Sequence, residues 1–195
     1  MDLDDPPLSP GEIEALARRI DRPVVLVGMM GVGKSSVGKR LAALLHCSFT
    51  DADDEIEKAA QMTISEIFET YGEPYFRDGE RRVIHRLIED ENGQTAGCKI
   101  IATGGGAFAN AETRSLILSS TIAVWLDSDI EVLLERTARK DNRPLLKQGD
   151  PRATLTRLRE ERSPAYAQAP IHVVSGHGPH SRTVHKVLQG IAQWL

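Results

Sequence analysis

A three-layer α/β/α fold around a central parallel sheet is predicted by three features of the sequence. Short, continuous apolar runs rich in β-branched residues recur along the chain. Amphipathic helical patterns separate them, and the first run leads through a glycine-rich loop into a helix. Runs without polar alternation mark strands buried on both faces, and strands alternating with helices imply parallel pairing.

The elements follow in order. Residues 1–20 read as an N-terminal extension. Met1 to Pro10 hold Asp2, Asp4 and Asp5 with Pro6, Pro7 and Pro10, a mobile tail with too little apolar surface to order itself. Ile13, Leu16, Ala17 and Ile20 then recur at helical spacing, predicting a short packing helix over Gly11 to Ile20. Val24 to Val27 is the first buried strand. Val37, Leu41, Leu44 and Leu45 share one helical face behind it, as do Phe76, Val83, Ile84, Leu87 and Ile88 further on. Phe49 to Asp53 looks like the end of another strand. Ile100 to Ala102, Thr121 to Leu126 and Ile171 to Val174 supply the remaining strands. Ser128 and Glu131 form a capping-box signature ahead of a helix, and a last helix is expected over Thr183 to Trp194. A chain of 195 residues has room for one such core, so residues 21–195 form a single domain.

Bulk composition narrows the function. With 41% hydrophobic and 27% charged residues the chain is an ordinary soluble globular protein. A net charge of -4 gives no field to attract nucleic acid, so any phosphate chemistry must be local. Cys47 and Cys98 form no Cys-x-x-Cys pair and are expected as free thiols in a reducing cytosol. The start of the chain has no basic segment followed by an apolar run, and no stretch approaches the roughly 20 apolar residues of a membrane helix. A cytoplasmic protein with no membrane partner is expected.

Gly28-Met29-Met30-Gly31-Val32-Gly33-Lys34-Ser35 satisfies G-x-x-x-x-G-K-[ST] between a strand and a helix, where a P-loop belongs. Backbone amides of Gly31, Val32, Gly33, Lys34, Ser35 and Ser36 are then placed to cradle the phosphates of ATP at a helix start. Lys34 would reach the β and γ phosphates, and Ser35 would offer its hydroxyl to Mg2+. A Rossmann loop fits less well, because its third glycine would fall on Ser36.

Asp51 and Asp53, one residue apart after the second strand, can hold magnesium through water and engage a substrate hydroxyl. Taken alone they would read as a polar turn. The downstream motifs decide. Ile64 to Phe68, Gly72-Glu73, Phe76-Arg77 with Glu80, Thr103-Gly104-Gly105-Gly106-Ala107, Arg143-Pro144-Leu145-Leu146 and Arg162 with Tyr166 stand in the order and spacing of one family. From about Val24 to near its end the chain resembles the shikimate kinases, P-loop proteins of nucleoside monophosphate kinase-like fold.

That resemblance implies an ATP-dependent kinase acting on the 3-hydroxyl of shikimate, as a monomer whose partners are small molecules. Asp53 would bind the ring hydroxyls and accept the proton of the attacking one. Arg77 and Arg162 would grip the carboxylate, with Gly105 against the ring. Asp51 would reach magnesium through water, and Arg136 would pack on the adenine. Residues 141–150 would form a lid carrying Arg143 to the γ-phosphate. His180 and Arg182, in the last strand-to-helix loop, are further candidates at the adenine.

Two rival classes frame the test. A related kinase could use gluconate or a nucleoside monophosphate, although only 5% aromatic residues leaves little stacking surface for a second base. A non-catalytic nucleotide-binding module would have no need of Asp53, Arg77 and Arg162 together.

Overall fold

Strand Val24–Val27 (β1) has no polar residue and is buried at all four positions, so both its faces must be covered. The computed structural model covers them with helices and describes residues 6–89, 98–138 and 149–195. Beside β1 lie Ser48–Asp51 (β2), Lys99–Ala102 (β3), Ile122–Asp127 (β4) and Ile171–Val174 (β5), in the spatial order β2-β3-β1-β4-β5. Every pairing is parallel; Val24 faces Ile100 on one side and Ile122 on the other. The fold is therefore the expected three-layer α/β/α arrangement.

The helices are Pro10–Arg19 (α1), Lys34–Leu44 (α2), Ala52–Ala60 (α3), Ile64–Ile88 (α4), Ala111–Ser120 (α5), Ile130–Ala138 (α6), Pro151–Tyr166 (α7) and His180–Trp194 (α8). Leu26, Ile100, Ile101, Ile122 and Leu126 are among the fully buried side chains between the layers. Helix α1 adds Ile13, Leu16 and Ile20 to the same core.

Several boundaries depart from the sequence reading for local reasons. Helix α1 opens at Pro10, not Gly11, because Ser9 and Glu12 cap one another and Pro is at home in a first turn, where its absent N–H has no bond to make. Leu44 is 40% exposed rather than in the core, since it is the last residue of α2 and Leu45 fills the apolar space instead. The capping box at Ser128 does not form. The Ser128 hydroxyl donates to the Ser175 carbonyl at 2.6 Å, and the first helical bond of α6 runs from the Leu133 amide to Asp129. Helix α8 starts at His180, three residues before the expected Thr183. Helix α4 runs on through Gly72, which kinks it at φ 80°.

Parallel pairing points all five carboxyl ends one way. The sheet reverses direction of winding beside β1, with β3 on one flank and β4 on the other, and such a switch point opens a crevice above the strand ends. The loops after β1, β2 and β3 meet there.

Candidate active site

The loop from Gly28 to Gly33 ends in the first turn of α2, with Gly33 as its N-cap at φ 102°. A side chain there would be strained, and its Cβ would sit 2.9 Å from the His180 ring, so only glycine fits. Lys34 is buried and curls back, its Nζ donating to the carbonyls of Gly28 at 2.8 Å and Met29 at 3.0 Å. Ser35 Oγ donates to Asp51 Oδ2 at 2.6 Å, which ties the phosphate loop to the end of β2. The other carboxylate oxygen of Asp51 accepts the Asp53 amide at 3.1 Å and caps α3. Asp53 therefore lies in the first turn of α3, and not on a strand-end loop as the sequence suggested. Helix geometry, not strand alternation, sets its direction.

Two adjoining cavities open above the strand ends. One, of about 210 Å³, is lined by Gly31, Gly33, Lys34, Ser35, Ser36, Arg136 and His180. The other, of about 430 Å³, is lined by Arg77, Glu80, Gly104, Gly105, Gly106 and Arg162. Ser35, Asp51, Asp53 and Gly105 face both.

The wall of the larger cavity is held by charge pairing. Arg77 Nη1 donates to Glu80 at 2.7 Å and Nη2 to Glu73 at 2.9 Å, an i−4/i+3 pair of carboxylates along one face of α4. Burial alone would lower the Arg77 guanidinium; Glu80 and Glu73 outweigh it and hold it above its ordinary value. Glu80 is 2% exposed, and its Oε1 has no hydrogen-bond partner. Burial pushes its carboxyl above the usual glutamate value, against the pull of Arg77 and then Arg162. Across the cavity, Arg162 is buried on α7 and donates to the Gly105 carbonyl at 3.0 Å. One turn later the Tyr166 hydroxyl donates to that same carbonyl, and burial pushes the phenol up to about 12. Gly105 is thereby fixed by two donors from one helix.

At the far edge of the smaller cavity Arg136 bridges the phosphate loop to the loop after β5, with bonds to Val32 O at 3.1 Å and Gly176 O at 2.9 Å. His180 lies beside it with Nδ1 buried and without a hydrogen-bond partner, its imidazole lowered by burial and then by Arg136 and Arg40. Arg182 lies in α8, against Gly178, and does not line either cavity.

Lys34, Ser35, Ser36, Asp51, Asp53, Arg77, Gly105, Arg136 and Arg162 thus meet in one cleft. Arg143 and residues 139–148, most of the expected lid, lie outside the described residues, as do residues 1–5 of the tail. Glu80 and Tyr166 stand out in the sequence only as parts of a pattern. The spacing Glu73, Arg77, Glu80 is the available signal for the first, since it sets two acids beside one base on a helix. Thr103, first of its glycine motif, bonds the Leu26 carbonyl at 3.1 Å and so fixes the start of the glycine run.

Comparison with known proteins bears on this cleft. A family model described as shikimate kinase matches residues 30–192. A shikimate kinase from Novosphingobium aromaticivorans is 62% identical over 195 residues, all of both chains. One from Rhodopseudomonas palustris is 51% identical over 96% of this chain and 89% of its own. Among solved structures, a shikimate kinase from Acinetobacter baumannii in complex with shikimate superposes with a TM-score of 0.78 at 35% identity, covering 95% of this chain and 96% of that one.

Proposed function

We propose that this chain, which belongs to the shikimate kinase family, transfers the γ-phosphoryl group of ATP to the 3-hydroxyl of shikimate, a step of aromatic amino acid biosynthesis, and we assign the residues that do the work. The observation that carries the assignment is the position of Asp53 at the junction of the two cavities, between the phosphate loop and the paired arginines.

In this reading the amides of Gly31 to Ser36 hold the ATP phosphates, and Lys34 leaves the Gly28 and Met29 carbonyls to meet the β and γ groups. Arg77 and Arg162 take the shikimate carboxylate. Each presents a planar fork already braced by protein acceptors, so little freedom is lost on binding. Gly105 lies against the ring. Asp53 orients the 3-hydroxyl and accepts its proton as the oxygen bonds to the γ phosphorus and the bond to the β-phosphate oxygen breaks. Arg136 packs toward the adenine, with His180 as its neighbour. Arg143 is assigned to the γ-phosphate by its sequence motif alone.

Magnesium fits the donors present. Ser35 Oγ and Asp51 Oδ2 are hard oxygens 2.6 Å apart at the phosphate loop, and this ion takes few protein ligands while keeping waters and phosphates. Ser35 would hold it directly and Asp51 through water. Bound there, it would neutralise phosphate charge.

Residues 21–195 are read as one kinase domain and residues 1–20 as an extension; the burial of Ile13 and Leu16 in the shared core supports packing as the role of α1. The enzyme is read as a monomer. Cytoplasmic placement fits two unbridged cysteines. Among the described residues no helix is long and apolar enough to cross a membrane.

The test is ADP release from MgATP with shikimate, gluconate, a nucleoside monophosphate or no acceptor, with mass spectrometry of the product. Release that depends on shikimate, with a phosphorylated product, is expected. Turnover of another acceptor in its place would overturn the assignment of Arg77 and Arg162.

A further inference from the structure

Cys47 and Cys98 are 51 residues apart in the chain, yet their sulfurs lie 2.8 Å apart. Sheet register is the reason. Ser48 opposes Lys99 in the parallel pairing of β2 with β3, so the residues just before those strands face each other at the sheet's amino end. Neighbouring strands run about 4.7–4.9 Å apart, within the roughly 4.4–6.8 Å between Cα atoms that a disulfide spans. The pair is also unequal in access. Cys98 is buried, whereas Cys47, after the turn that ends α2, is only half-buried. The two sulfurs share one hydrogen bond, and the pairing lowers the Cys47 thiol and raises that of Cys98, to which burial adds, so the thiolate is favoured on the more reachable sulfur.

We propose that Cys47 and Cys98 are a reversible disulfide site of this enzyme, in which Cys47 attacks a low-molecular-weight disulfide and Cys98 resolves the product. The Cys47 thiolate attacks one sulfur of the reagent, forms a mixed disulfide and expels a small thiolate. Cys98 gives its proton to that thiolate, and its sulfur attacks the Cys47 sulfur and expels the second small thiolate, which takes up from water the proton that Cys47 had released. Two protein thiols and one small disulfide become one protein disulfide and two small thiols. The protein loses two electrons, which the reagent takes up.

Two consequences arise from the position of the bond. Strand β2 is the edge of the sheet, paired only with β3 among the described strands, and it leads to Asp51 and Asp53. A cross-link there closes the segment that contains α3 and α4, restricting the unfolded chain, while it sits at the far end of both strands from the cleft. Oxidation therefore stabilises the fold and leaves the chemistry in place.

The experiment treats the purified full chain with oxidised glutathione, alkylates remaining thiols and maps peptides by mass spectrometry without reductant. The expected product is one peptide pair joined through Cys47 and Cys98, within a single chain, reversed by dithiothreitol. The melting temperature is expected to rise by about 5–10 °C, with kcat unchanged within about twofold. C98S is expected to stop at a glutathione adduct on Cys47. If C98S does not fold, the peptide map of the native chain decides by itself. Alkylation of both cysteines after treatment, a stable adduct on Cys47 of the native chain, or a link between two chains would each overturn the proposal. A large loss of activity on oxidation would overturn its second part.

Discussion

The phosphate-binding part of the cleft comes from one stretch of chain, Gly28 to Ser36, and presents mainly backbone amides beside the Lys34 ammonium, with Arg136 of α6 and His180 of α8 closing its far edge. The acceptor end draws Asp53 from α3, Arg77 from α4, Gly105 from the loop after β3 and Arg162 from α7, and presents mostly charged side chains. The first is a property of a contiguous turn, and it forms wherever that turn follows a parallel strand. The second exists only when four elements have packed, so its precision depends on the bonds that brace it. Glu73, Glu80 and the Gly105 carbonyl do the bracing.

Changes at the two ends should therefore separate by substrate, and four substitutions would break or sharpen the contrast. Asp53→Asn removes the proposed proton acceptor while keeping shape; kcat should fall by about 10²–10⁴ with ATP affinity kept. Equal loss of ATP binding would place Asp53 in the nucleotide end. Lys34→Met should lower kcat by roughly 10²–10³, since one preorganised donor to developing charge is lost. Here, unlike at Asp53, ATP binding should weaken as well, and calorimetry with ATP alone distinguishes the two. Arg162→Ala removes a charged hydrogen-bonding partner, worth about 1.5–3 kcal/mol, and should raise the shikimate KM while sparing that of ATP. An unchanged shikimate KM would dissolve the proposed carboxylate clamp. In Gly106→Ala the new Cβ would lie 2.5 Å from Arg77 Nη1, so the guanidinium must shift; a several-fold rise in shikimate KM alone is expected. Parallel rises for both substrates would mean the ends are mechanically coupled.

The smallest effect concerns pH. Burial raises Glu80 above the 4.5 it has when unfolded, so between the two values the folded chain keeps a proton that the unfolded chain has lost. Stability tied to Glu80 is then full below 4.5 and declines as pH rises through the folded value. Relative to Glu80→Gln, the wild-type chain should lose stability from about pH 4 to pH 7. Urea unfolding at both pH values measures this, and curves that stay parallel would show that Arg77 fully offsets the burial.

The same contrast explains what was legible in the sequence. The phosphate loop was readable directly, because a strand, a glycine turn and a helix start occupy adjacent residues and their physics is local. Asp53, Arg77 and Arg162 were readable only through likeness to a family, since no local pattern says that α3, α4 and α7 converge. Errors fell where a tertiary contact overruled a local preference. Ser128 gave its hydroxyl to Ser175, just past β5, instead of to its own helix. Leu44 kept helical phase but ran past the edge of the core. Cys47 and Cys98 offered no spacing signal at all, and only strand register joined them.

Lys34 already bonds two neutral carbonyls of its own loop. In the proposed reading, arrival of a triphosphate is thus a trade of acceptors rather than the making of new bonds from nothing. The heat released at this residue is the difference between charged and uncharged partners, and part of it is returned in freeing the carbonyls. What those two bonds secure beforehand is shape: they tie the ammonium back across its own loop and hold the loop's curl.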